Sequence, residues 1–184
     1  MRYTFGRMFA LLALAVVLAS IGAAAAMWSE TLKINVKVNT GEVDVEWSEW
    51  NCSDTGADPQ AEGFDNSEGK DVAQCIVEAE KYDDEGDVIK LNVTITNAYP
   101  GYHAVITGIV DNIGTIPVKL YKHEITGVNK TALSVELGIP EDTQIEPGGN
   151  STYTLTIDVL QAATENATYT FEVTLVFAQW NEVK

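Results

Sequence analysis

Apolar and polar residues alternate along one short run after another in this chain, and that period of two commits it to β structure. Tyr153, Leu155, Ile157 and Val159 share one side of their run, and Tyr169, Phe171, Val173, Leu175 and Phe177 share one side of the next. Ile89, Leu91, Val93 and Ile95 stand against Lys90, Asn92, Thr94 and Thr96, and Ala104, Ile106 and Val110 repeat the pattern within 102–111. Val43, Val45 and Trp47 mark one face of 42–50, while 75–82, 118–128 and 131–137 read as further strands. Turn-forming stretches separate the runs: "DDEGD" at 83–87, "NAYPGY" at 97–102 and "NIGTIP" at 112–117, where Gly114 is free to take positive φ. About eight to ten short strands predict an all-β, jelly-roll-like antiparallel β-sandwich over residues 41–184.

Ahead of the strands, residues 1–26 read as an export signal, with Arg2 and Arg7 at its start, an apolar run from Met8 to Ile21 and small residues at Ala23–Ala26. The expected cut falls before Met27. A retained membrane helix is the competing reading, but the strictly apolar core is shorter than the roughly 20 residues a span needs. Losing Arg2 and Arg7 reduces the 11 basic residues to 9 against 27 acidic ones, a formal charge of −18. So acidic a chain is a poor ligand for nucleic acid or an anionic membrane surface. The mature protein is expected to be extracellular and free of the membrane.

Cys52 and Cys75 are the only cysteines. In an exported chain they read as a disulfide closing the polar excursion at 51–72, with two free buried thiols as the other reading. Two cysteines and two histidines do not make a standard structural zinc site. Five N-x-[S/T] sequons, at Asn51, Asn92, Asn129, Asn150 and Asn166, fit an exported, glycosylated surface, although threonine-rich strands also generate sequons by chance.

The stretch TLKINVKVN at 31–39 alternates almost without error, with Leu32, Ile34, Val36 and Val38 on one side. Two arrangements suit it. "NTGE" at 39–42 is short enough to fold it back on 43–50 as a hairpin. Alternatively it extends into a groove on another molecule, adding a strand to an open sheet.

Catalytic constellations are thin in the sequence: no G-x-S-x-G, H-E-x-x-H or G-x-x-x-x-G-K-[ST] occurs, His103 and His123 sit in strand patterns, and the plentiful carboxylates leave an acid/base pair open without a spacing that singles one out. The expected protein is not an enzyme. Hard oxygen ligands for calcium are plentiful, in Asp54, Asp58, Asp65, Asn66, Glu68 and Asp71 of the long loop and at the hairpin, where Asp83, Asp84 and Asp87 are the candidates beside Glu85. Neither group follows the D-x-[DN]-x-[DN]-G pattern. Trp28, Trp47, Trp50 and Trp180 read as a carbohydrate platform, as core (Trp47, in phase with Val43 and Val45) or as an interface near the termini (Trp28 and Trp180).

The signal ending before "AMWSETLKINVKVNTGEVDVEW", followed by "NAYPGY", "DNIGTIPVKL", "EPGGNSTYTLTIDV" and "ATYTFEVTLVFAQWN", resembles the TasA/camelysin-like exported filament proteins, nearest to the archaeal bundling pilins (AbpA-like). That resemblance implies a jelly-roll subunit with an N-terminal donor strand, residues 27–40, inserted into the next subunit. Trp28, Leu32, Ile34, Val36 and Val38 would form the interface of a homopolymer growing head to tail, a surface filament serving adhesion and lateral bundling. Camelysin members have been described as metalloproteases, but this sequence lacks their zinc-ligand motif. The other reading is a monomeric secreted binding module or a calcium-dependent hydrolase acting on surface polymers.

Overall fold

The computed structural model describes residues 3–24 and 31–183. The chain divides into two units, Met1–Asn39 and Thr40–Lys184.

In the first unit the regular element is a helix, α1 (Tyr3–Ala24). Its alanine- and leucine-rich sequence has high helix propensity and no proline to interrupt it. Among the described residues no helix is long and apolar enough to cross a membrane. Residues 31–39 form no strand, and Leu32, Ile34, Val36 and Val38 are 77–89 % exposed. Trp28 lies outside the described residues.

These findings correct the expected N-terminal donor strand. The N-terminal element is a helix, and the alternating segment behind it pairs with no strand among the described residues. Alternation marks a segment as amphipathic at period two, but a strand exists only where a neighbour completes its hydrogen-bond ladder. Nor does the hairpin form among the described residues: the strand from 43–50 pairs on one side with 106–112, and residues 31–39 take no place on its other edge. The filament mechanism built on a donor strand, and the fold description that included one, fall with it.

The second unit is an antiparallel all-β structure of three sheets. Its strands are β1 (Val45–Cys52), β2 (Gln74–Tyr82), β3 (Val88–Thr96), β4 (His103–Asn112), β5 (Val118–Thr126), β6 (Leu133–Gly138), β7 (Gln144–Ile145), β8 (Asn150–Val159) and β9 (Glu172–Gln179). The sheets run β1-β4-β8-β6, β2-β3 and β7-β5-β9.

One face of the four-stranded sheet carries both apolar clusters. Ala104, Ile106, Ile157 and Val159 from β4 and β8 meet Cys75, Val77, Val93 and Ile95 of the β2–β3 hairpin. Further along the same strands, Val110 and Tyr153 meet Val118, Leu120, Ile145, Leu175 and Phe177 of the three-stranded sheet. The buried alternation of β4, in which every second residue from Ala104 to Asn112 is inside, is the pattern read in the sequence.

A bulge between Trp47 and Glu49 shifts β1 by one residue, so Trp47 faces Val110, Trp50 faces Gly108 and Cys52 faces Ile106. Both tryptophans therefore turn to the inner face. Trp47 lies across Gly108, where a Cβ would come within 2.5 Å of its ring, and Trp50 Nε1 donates to the carbonyl of Val77 at 3.1 Å. Neither belongs to a carbohydrate platform. Trp180 is half exposed, beyond the end of β9.

Candidate functional site

The tip of the β2–β3 hairpin is built around Asp83. Its carboxylate Oδ1 accepts the backbone N–H groups of Glu85, Gly86 and Asp87 at 3.0, 2.9 and 2.9 Å. The turn closes through Asp83 N to Asp87 O at 3.0 Å, and Gly86 sits at φ 98°, a conformation open to glycine at little cost. Residues 83, 85 and 87 are two apart, and the turn brings their carboxylates together.

A fourth carboxylate comes from far away in the chain. The segment 42–44, just ahead of β1, docks on the turn after β4. Glu42 N donates to Thr115 Oγ1 at 2.8 Å, Thr115 N to Glu42 O at 3.1 Å, and Gly114 N to Asp44 O at 3.2 Å. Gly114 is required here by close approach and not by positive φ, since a Cβ would lie 2.6 Å from Glu42 O and 2.8 Å from Asp44 N. Beneath the turn, fully buried Asn112 donates through Nδ2 to Ile116 O and Ile145 O, both at 2.9 Å, and accepts Gly114 N at 3.1 Å.

Asp44, Asp83, Glu85 and Asp87 each bring a carboxylate oxygen to within 4.8 Å of the others. This group could hold a divalent cation, calcium among the ions it suits. No Lys, Arg or His forms an ion pair with it among the described residues; the four ion pairs found there lie elsewhere. Of the hairpin candidates read in the sequence, Asp83 and Asp87 belong to the group and Asp84 does not. Asp44 was missed, because nothing local in the sequence connects it to residues 83–87.

The electrostatics follow from uncompensated negative charge. Asp83, Asp44 and Glu42 push Glu85 above its ordinary value. Partial desolvation, then Asp83 and Asp44, raise Asp87. Asp83 itself is lowered by the backbone donors of the turn, Asp87 foremost. Beside this group, Glu46 on β1 stands directly across from Asp111 on β4. Like charges so placed repel. Glu46 is raised by desolvation, then by Asp87, and further by Asp111 and Asp44, while Asp111 Oδ1 is buried with no hydrogen-bond partner.

The long loop behaves differently. Asp58 is 2 % exposed and spends its carboxylate inside the protein, accepting Val72 N at 3.0 Å and Ala73 N at 3.2 Å on Oδ1 and the Tyr99 hydroxyl at 2.6 Å on Oδ2. Asn66 binds Asp58 O, Lys70 O and Lys70 N. These residues are structural pins, and Asp54, Asp65, Glu68 and Asp71 join no such carboxylate group among the described residues. The Tyr102 hydroxyl donates to Asp54 Oδ2 at 2.6 Å. Desolvation first, and then the hydrogen bond to Asp58, push the Tyr99 phenol up to about 12. A disulfide joins Cys52 to Cys75 and anchors both ends of the loop. His103 Nδ1 lies 2.7 Å from Asp158 Oδ1, its cross-strand neighbour.

The fold and site thus define an antiparallel multi-sheet β protein with a carboxylate cluster of cation-binding type at one hairpin tip. Comparison with protein-family models, with curated proteins and with solved structures finds no match.

Proposed function

We propose that this chain is an exported, non-catalytic structural module of the cell exterior, and that it binds calcium through Asp44, Asp83, Glu85 and Asp87. The observation that carries the reading is the convergence of four carboxylates from two distant segments, with no Lys, Arg or His paired to them among the described residues. Calcium takes six to eight oxygens in flexible geometry, and a half-open group of carboxylates on a turn suits that better than the strict octahedron of magnesium. Bound there, the ion would draw its remaining oxygens from water or nearby backbone carbonyls. A site this open fits the affinity range of extracellular modules, a Kd on the order of 10⁻⁴ to 10⁻³ M. The apolar leader and the disulfide support the exterior location.

Bound calcium would tie residues 42–44 to the hairpin tip and cancel the repulsion among the carboxylates. At tenfold excess over Kd, one such site stabilises the folded protein by about 1.4 kcal/mol. Thermal unfolding in millimolar calcium and in chelator tests this. A midpoint several degrees higher with calcium supports the reading, and superimposable curves refute it.

A further inference from the structure

The five sequons occupy two kinds of place in the fold. Asn51, Asn92 and Asn150 lie in strands β1, β3 and β8, paired with Thr107, Glu78 and Asp111 respectively. The sequons of Asn51 and Asn92 are also held by side chains: Cys52 is buried and disulfide-bonded, the Ser53 hydroxyl accepts Val105 N, and Val93 packs against the core. Asn129 and Asn166 lie in loops, the first between β5 and β6 and the second between β8 and β9. In both of these sequons the asparagine, the middle residue and the threonine are all exposed.

Local geometry adds to the contrast. Asn129 Oδ1 accepts Thr131 N at 3.1 Å, which turns the amide oxygen into the loop and leaves Nδ2 without an acceptor among the described residues. Asn166 sits at φ 59° on a turn and is exposed. A transferase must bend the sequon backbone around the asparagine to reach the amide nitrogen. A loop permits that bend, whereas a strand must first leave its ladder.

We infer that Asn129 and Asn166 are the two positions at which the folded protein accepts an N-linked glycan. In the transfer, Nδ2 forms a bond to C1 of the reducing-end sugar of a polyprenyl phosphate-linked oligosaccharide. The C1–O bond to phosphate breaks, the lipid phosphate leaves with the electron pair, and the amide proton passes to the transferase base. The three strand sites remain bare while the sheets are intact.

The test is glycopeptide mass spectrometry on two samples. One is protein purified from its own cells. The other is the unmodified chain, folded or reduced and denatured, treated with the oligosaccharyltransferase of those cells and its lipid-linked donor. Expected are glycans at both Asn129 and Asn166, none at the three strand sites of the folded chain, and new occupancy at Asn92 once the chain is denatured. Asn129→Gln and Asn166→Gln each remove one glycan mass, and Asn92→Gln removes none. Bare Asn129 or Asn166, or a glycan on Asn51, Asn92 or Asn150 of the folded chain, overturns the inference.

Discussion

Asp44 and Asp83 are far apart in the sequence, yet each places a carboxylate oxygen within 4.8 Å of the other. The contact is made by two separate devices. The Asp83 turn is fixed by its own backbone donors, and Asp44 is fixed by the docking of 42–44 on the turn around Gly114. Neither device neutralises the charge it brings in.

Repulsion at this site makes stability depend on pH in a stated direction. Glu46, Glu85 and Asp87 have folded pKa values above their unfolded ones, so in the window between the two the folded state binds more protons. Stability therefore falls as pH rises through that window and recovers on acidification. Asp83 is lowered and acts oppositely, its contribution being lost only as pH falls below the ordinary carboxylate range. Urea unfolding in chelator, followed as pH falls from neutrality into the ordinary carboxylate range of about 4, should show rising stability. A flat or falling profile would count against the electrostatic account.

Gly114→Ala places a methyl group against two backbone atoms that cannot move independently. Overpacking of this kind costs about 1–3 kcal/mol, and here it also displaces Asp44. The variant is expected to unfold earlier and to lose most of its response to calcium. Unchanged calcium stabilisation in a folded Gly114→Ala protein would show that Asp44 is not a ligand.

Asp58→Ala strips partners from Val72 N, Ala73 N and the Tyr99 hydroxyl at once. Unsatisfied buried groups cost about 1–3 kcal/mol each, and water entering the loop offsets part of that, so a loss of about 3 kcal/mol is expected. Chemical denaturation reads it directly. Calcium stabilisation should survive, because the loop pins and the hairpin tip are separate structures.

Reduction of Cys52–Cys75 opens a loop with a sequence separation of 23. In the chain-entropy model this removes about 3 kcal/mol. A reduced protein with the same unfolding midpoint as the oxidised one would deny the bridge its structural role.

Much of the β architecture was legible in the sequence because burial on one face writes period two into a strand. Ala104, Ile106 and Val110 of β4 and Tyr153 and Ile157 of β8 are inside, as their alternation required. The pattern misled at Leu32, Ile34, Val36 and Val38, where alternation is as clean but no neighbouring strand completes it among the described residues. It was also silent about the bulge after Trp47, which adds one residue and turns Trp50 to the inside. At the site, Asp83 and Asp87 were readable as turn carboxylates. Asp84 was included because adjacency in sequence says nothing about which side of a turn a residue takes. Asp44 was unreadable, because its place depends on Gly114 lacking a side chain 70 positions further on.

The most direct measurement is isothermal titration of chelator-stripped protein with calcium, beside an Asp83→Asn, Asp87→Asn double variant. The account predicts saturable heat for the native protein, with a Kd on the order of 10⁻⁴ to 10⁻³ M, and none for the folded variant. Absence of heat from the native protein, or equal heat from both, would contradict it.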